Sequence, residues 1–168
     1  MADVFLGLGS NLGDRTANIR EALSLLRHSG SIQISKVSSL YEGEPVGLSA
    51  QPDFINCVAR IQTELDPHAL LAELKELEAS LGREPDTHLK PRPIDIDILL
   101  YGDIDLESLD LMIPHSRLKA RRFVLEPLLE IDPEIIDPVS SRPLREYLKD
   151  VQSQPLRKVL DSKEVQDA

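Results

Sequence analysis

Pro91-Arg92-Pro93-Ile94-Asp95-Ile96-Asp97-Ile98-Leu99 alternates isoleucine with aspartate, which is the period of a β-strand, whose successive side chains point to opposite faces. Ile94, Ile96 and Ile98 then enter a core. Asp95 and Asp97 share the other face, about 7 Å apart at the rise of a strand. A strand with one apolar face and one carboxylate face belongs to a sheet covered on one side only.

Upstream of this strand, Asp66-Pro67 is a helix start, and Leu70, Leu71, Leu74, Leu77 and Leu81 form a helical stripe that Gly82 ends. Residues 53–65 alternate again, with Ile55, Cys57, Ala59 and Ile61 on one face and Phe54, Asn56, Val58 and Arg60 on the other. Residues 31–41 read as one more strand, joined to it by a Gly- and Pro-punctuated loop at 42–52 that is too long for a tight hairpin. Residues 4–9 are a short apolar strand. Asp14 caps a helix whose Ile19, Leu23 and Leu26 lie on one stripe, ending near Gly30.

The order strand-helix-strand-strand-helix-strand is the ferredoxin-like βαββαβ arrangement of the α+β class, with an antiparallel sheet, two helices on one face and the other face free. C-terminal elaboration follows: a helix over 116–129 interrupted at Pro127, and a short helix over 144–151. We expect one domain over 1–160. Residues 161–168, Asp-Ser-Lys-Glu-Val-Gln-Asp-Ala, are expected to be a disordered, non-functional tail.

The chain's 168 residues suit one domain with its own core. A net charge of -10 argues against a broad nucleic-acid surface, which needs clustered cations to displace counterions. Positive residues concentrate instead at 83–92 and 117–122, as a small anionic ligand would require. The one cysteine, Cys57, excludes an internal disulfide. With no signal-peptide pattern and no apolar run near the roughly 20 residues that span a bilayer, we expect a cytoplasmic protein without a membrane role.

Two carboxylates at this separation can bracket the magnesium ions of a two-metal phosphoryl-transfer site. An arbitrary Asp-x-Asp is more often the solvated face of a strand. Here Arg83, His88, Lys90 and Arg92 precede it, four potential cations for phosphate oxygens. Gly7-Leu8-Gly9-Ser10-Asn11-Leu12-Gly13 lacks the Lys-Ser/Thr of a P-loop and the spacing of a dinucleotide fingerprint. It reads as the end of the first strand and a turn in which Ser10 and Asn11 hydrogen-bond beneath the site. Phe54 and Asn56 share a face and offer a ring and an amide to a flat heterocycle, with Phe123 as an opposite wall. His115, after Pro114, is a candidate donor to a phosphate.

On these residues, together with Ser38-Ser39-Leu40-Tyr41, Gln51-Pro52-Asp53-Phe54-Ile55-Asn56 and Ile113-Pro114-His115, the chain resembles the 6-hydroxymethyl-7,8-dihydropterin pyrophosphokinases of folate biosynthesis. The resemblance covers nearly the whole chain. It implies transfer of the β,γ-pyrophosphoryl group of ATP to the hydroxymethyl oxygen of the pterin, with AMP leaving and two Mg2+ ions bridging Asp95, Asp97 and the phosphates. Arg83, Arg92, Asp95 and Asp97 would then be the catalytic groups. ATP would meet Lys75, Glu78, Arg83, Arg92, Ile98, His115 and Arg121, with Ile98 near the adenine. The pterin would meet Gly43, Glu44, Val46, Phe54, Asn56 and Phe123. None of these is an obvious general base. Where the pattern often has an aromatic the chain has Leu89, and Gly43-Glu44 replaces a common Thr-Pro. The loops at 43–51 and 83–90 are expected to close over the substrates.

A nucleotidyltransferase of the polymerase-β type also combines Gly-Ser with Asp-x-Asp, but there the two lie on neighbouring segments, whereas Gly9-Ser10 precedes Asp95 by the whole βαββα portion. A ferredoxin-like sensing module would need no paired metal carboxylates. The small-molecule partners expected are ATP and the pterin, and the expected state is a monomer.

Overall fold

Strand β1 (Ala2–Ser10) runs through the middle of the sheet, antiparallel to β4 (Phe54–Thr63) on one side and to β5 (Asp95–Tyr101) on the other. The computed structural model describes residues 1–45, 50–87 and 90–166. β2 (Ile32–Val37) and β3 (Leu40–Gly43) both pair with β4, and β8 (Leu156–Leu160) adds to β3, giving the order β5-β1-β4-β3-β8 with β2 beside β4. The βαββαβ core is present. A separate two-stranded ribbon joins β6 (Leu106–Glu107) to β7 (Met112–Ile113).

Residues 31–41 form two strands rather than one, because Ser38 and Ser39 use their side chains where a ladder would use the backbone. Ser38 Oγ accepts the Val58 N–H at 2.9 Å. Ser39 donates its N–H and hydroxyl to Glu130, which also accepts from the Tyr41 hydroxyl at 2.6 Å. The break thereby ties the sheet edge to the C-terminal helix that carries Glu130.

Helices α1 (Arg15–His28) and α2 (Pro67–Ser80) cover one face of the sheet. Asp14 and Asp66 cap them by accepting from Ala17 N–H and Ala69 N–H. Ile19, Leu23 and Leu26 of α1 and Leu70 and Leu74 of α2 pack on Leu6, Cys57, Ala59, Ile61, Ile96 and Ile98 in one cluster. Gly82 takes φ +91 past the end of α2, so that Arg83 N–H returns to Glu78 O and Gly82 N–H to Ala79 O. This glycine turn aims Arg83 back at the helix's last turn.

The opposite face is not free along its length, contrary to expectation. Helix α3 (Arg122–Ile131), with 3-10 turns at Leu118–Ala120 and Leu144–Asp150, covers Phe5, Val58, Leu99 and Leu100. A bulge between Phe5 and Leu6 re-phases β5. Leu99 and Leu100 therefore both face α3. Pro127 sits inside α3 without ending it. The lost N–H costs a hydrogen bond, which the apolar face Val124, Leu125, Leu128 and Ile131 outweighs by packing.

The expected disordered tail is also corrected over 162–166, which form α4 (Ser162–Gln166). Val165 is buried in the α1/α2 cluster, Ser162 N–H donates to Ser39 Oγ, and Gln166 Nε2 donates to Val37 O. One apolar residue among polar ones is too weak a periodic signal to read from sequence. Deleting residues 161–168 is expected to lower the unfolding free energy by about 2 kcal/mol, the worth of one fully buried valine. Urea denaturation measures this, and an unchanged midpoint would restore the disordered reading.

Candidate active site

Beside the start of α3, the sheet face opens into a pocket of ≈ 280 Å³ floored by glycine. In the sheet register Gly9 lies between Asn56 and Asp95, and Gly7 lies between Val58 and Asp97. The glycines belong to β1 rather than to a loop, and their missing side chains make the room. A Cβ on Gly9 would come within 2.8 Å of Asn56 Oδ1 and 3.3 Å of the Phe54 ring. Gly9→Ala is therefore expected to displace both and weaken binding of a flat heterocycle there by about tenfold, roughly the 1.4 kcal/mol that overpacking costs at the low end, which calorimetry would show.

Asp95 and Asp97 both line the pocket, in unlike surroundings. Asp95 accepts from Arg83 Nη1 at 2.6 Å and Arg92 Nη2 at 3.3 Å. Burial acts to raise its pKa, but the Arg92 and Arg83 guanidiniums outweigh it and hold the carboxyl below its ordinary range. Asp97 has no such clamp. Its nearest ionisable partner is His115 Nε2 at 3.8 Å, and burial, with Asp95 alongside, pushes its carboxyl up to about 7. A cation between the two would favour the ionised form of Asp97.

Among the described residues no group of three His, Cys, Asp or Glu side chains converges as a metal cage. Two carboxylates on one strand face nevertheless suit magnesium, which keeps several waters and takes its other ligands from phosphate. The donor set fits that metal.

Of the other expected site residues, Arg92, Arg121, Phe54, Asn56 and Phe123 line the same pocket. Arg92 lies 5.0 Å over the Phe54 ring and Arg121 5.4 Å over the Phe123 ring, so each wall pairs an aromatic with a guanidinium. Asn56 Nδ2 is buried and lacks a hydrogen-bond partner among the described residues. A buried amide donor left open beside two rings is what the edge of a polar heterocycle would satisfy. Gly43 stands behind Phe123 and against Leu156 of β8, where a Cβ would come within 3.1 Å of a Leu156 methyl. Arg15 and Arg157 grip Glu42 at 2.7 and 2.6 Å, fixing the base of the loop.

Arg83 reaches the site through Asp95. Glu78 lies beneath it with 4% of its side chain exposed, accepting from Arg83 Nη1 and from Ile96 N–H. Lys75 is exposed, 3.9 Å from Glu78. The Ile98 side chain is buried in the α1/α2 cluster, on the other side of the sheet from Asp97. Glu44 is exposed. Val46, His88 and Leu89 lie outside the described residues. The residue that sequence reasoning undervalued is Asn11: its amide donates to Gln51 Oε1 and Pro52 O, and it accepts from Arg92 N–H at 2.9 Å. It joins the two loops flanking the pocket, a role that a Gly-Ser-Asn turn does not advertise.

The match to known proteins agrees with this geometry. Residues 5–133 match the family model described as 7,8-dihydro-6-hydroxymethylpterin-pyrophosphokinase. The 2-amino-4-hydroxy-6-hydroxymethyldihydropteridine pyrophosphokinase of Aquifex aeolicus is 42% identical over 147 residues, 88% of this chain and 91% of that protein. The mitochondrial folate synthesis bifunctional protein of Pisum sativum is 46% identical over 135 residues, but the match takes in 26% of its length. The crystal structure of Plasmodium falciparum HPPK-DHPS aligns with a TM-score of 0.69 at 19% identity, over 89% of this chain and 41% of that one, a likeness of fold.

Proposed function

The chain belongs to the 7,8-dihydro-6-hydroxymethylpterin-pyrophosphokinase family, whose reaction in folate synthesis moves pyrophosphate from ATP to the hydroxymethyl group of the pterin, and we propose that Asp95 and Asp97 serve it by holding two Mg2+ ions. The observation that carries this is the glycine-floored row, with Asn56 and Phe54 at one end and the two aspartates at the other. It offers a flat-ring pocket and an anion and cation site within one cavity.

The bicycle stacks between Phe54 and Phe123 while Asn56 bonds its edge, and Gly43 and Glu44 border it. Arg83, Arg92, Arg121 and His115 take the phosphates, with Lys75, Glu78 and the β5-edge backbone of Ile98, whose side chain is buried in the core, assigned to the nucleotide side. Magnesium bound at the two carboxylates would neutralise phosphate charge and align the β-phosphorus. The chain's own part is positioning: the rings and Asn56 present the hydroxymethyl oxygen, and the guanidiniums stabilise charge on the oxygens around the β-phosphorus as AMP departs. Burial, followed by the charge of Arg121, depresses the pKa of His115, so it approaches phosphate as a neutral donor.

All these residues come from one chain, so a monomer suffices, and the described helices include none long and apolar enough to cross a membrane. We place the enzyme in the cytoplasm with ATP and the pterin as its partners. The test is AMP formation from ATP, magnesium and 6-hydroxymethyl-7,8-dihydropterin. Release of inorganic pyrophosphate instead would favour a nucleotidyltransferase.

A further inference from the structure

Three arginines line the pocket and a fourth, Arg83, reaches it through Asp95, and the four fall into two kinds. Arg83 and Arg92 are both bonded to Asp95. Arg117 and Arg121 line the same cavity, yet neither forms an ion pair with a described residue. Arg121 Nε is buried with no hydrogen-bond partner among the described residues. Burial first, and then the charge of Arg117, depresses the Arg121 guanidinium, and Arg117 acts on His115 in the same direction.

A chain with 29 acidic residues against 19 basic ones has carboxylates in excess to pair with both. Instead it keeps two like charges together at one cavity wall, an arrangement that is unfavourable until an anion enters. Their backbones are also held. Arg117 precedes the 3-10 turn Leu118–Ala120, donating its N–H to His115 Nδ1 at 3.2 Å and accepting from Ala120 N–H at 3.2 Å. Leu118 is buried under α3, and Lys119 of the turn pairs with the buried Asp137. Arg121 follows directly and begins α3.

We propose that Arg117 is a phosphate-binding residue of this enzyme, forming with Arg121 a guanidinium pair that receives the polyphosphate oxygens. Arg83 and Arg92, held by Asp95, meet the phosphates from the carboxylate end of the cavity. The inference rests on the pyrophosphokinase reading for its ligand, and on the cavity for its geometry. Because Arg117 is exposed and makes no described ion pair, its replacement leaves the fold intact.

The experiment measures calorimetric binding of inorganic pyrophosphate and of a non-hydrolysable ATP analogue to wild type, Arg117→Met, Arg117→Lys, Arg121→Met and the double variant, each with magnesium. Arg117→Met should weaken both anions by about tenfold, as loss of a charge-assisted hydrogen bond does. Arg117→Lys should recover part of this, pterin affinity measured alone should hold, and the double variant should lose less than the product of the single losses. Wild-type binding in Arg117→Met would overturn the assignment. So would an equal loss in Arg145→Met, a surface variant far in sequence from the pocket, since that would reveal only general electrostatics. If wild type forms no AMP from ATP and pterin but the variants still lose pyrophosphate, the anion site stands and the reaction assigned above fails.

Discussion

Asp97→Ala is expected to leave the protein folded while lowering pyrophosphoryl transfer by about 10²-fold or more, since a metal ligand supplies several kcal/mol of transition-state stabilisation. The two halves of that statement have separate causes. Among the described residues Asp97 holds nothing in place: its nearest ionisable partner is His115 at 3.8 Å, beyond hydrogen-bond range, and its ionised form is disfavoured by burial and by Asp95, which push the carboxyl up to about 7. Removing such a group relieves repulsion in the metal-free chain, so the melting temperature should hold or rise. Asp95 differs, because its loss would also release Arg83 and Arg92. Pairing AMP-formation rates with thermal melts of Asp97→Ala separates the two effects. An undiminished rate would sink the two-metal site, and a collapsed melting curve would mean that Asp97 has a structural partner.

Much of this was readable from side-chain periodicity. The alternation of residues 94–98 placed the aspartates on one face because a strand allows no other outcome, and Asn56 and Phe54 shared a face for the same reason. What escaped depended on pairing between distant segments. Gly7 and Gly9 read only as the end of the first strand, since their use as a pocket floor follows only once Asn56 and Asp95 lie on either side of Gly9. Leu99 and Leu100 share a face because of a bulge opposite Phe5 and Leu6, which no local pattern encodes. α3 closes part of the face expected to be free, and Ser39, Tyr41 and Glu130 fasten it there across a separation of about ninety residues. β8 was missed because Leu156–Leu160 carries two basic residues and gains its stability by pairing at a sheet edge rather than from an apolar face of its own.

Glu78 is the position where the resemblance and the packing lead to different experiments. β5 is an edge strand, bonded to β1 on one side alone. Its outward groups find other partners: Ile96 N–H donates to Glu78 Oε2 at 2.8 Å, Ile94 O accepts from Arg83, and Leu99 O accepts the His115 N–H. Glu78 thus closes the sheet edge and holds Arg83 at 2.7 Å, and burial raises its pKa despite those contacts. Glu78→Ala leaves a strand N–H without its acceptor and a buried guanidinium with Asp95 as its remaining carboxylate. Removing one member of a buried pair costs ~3 kcal/mol or more, and an unmade backbone bond adds to it less than additively. We expect a stability loss of about 3 kcal/mol, with transfer reduced as Arg83 swings fully onto Asp95. Glu78→Gln keeps an acceptor for Ile96 and removes only the charge, so it should cost about 1 kcal/mol. Urea denaturation of the pair measures the difference. If Glu78 instead contacts ATP, Glu78→Gln would raise the KM for ATP at unchanged stability.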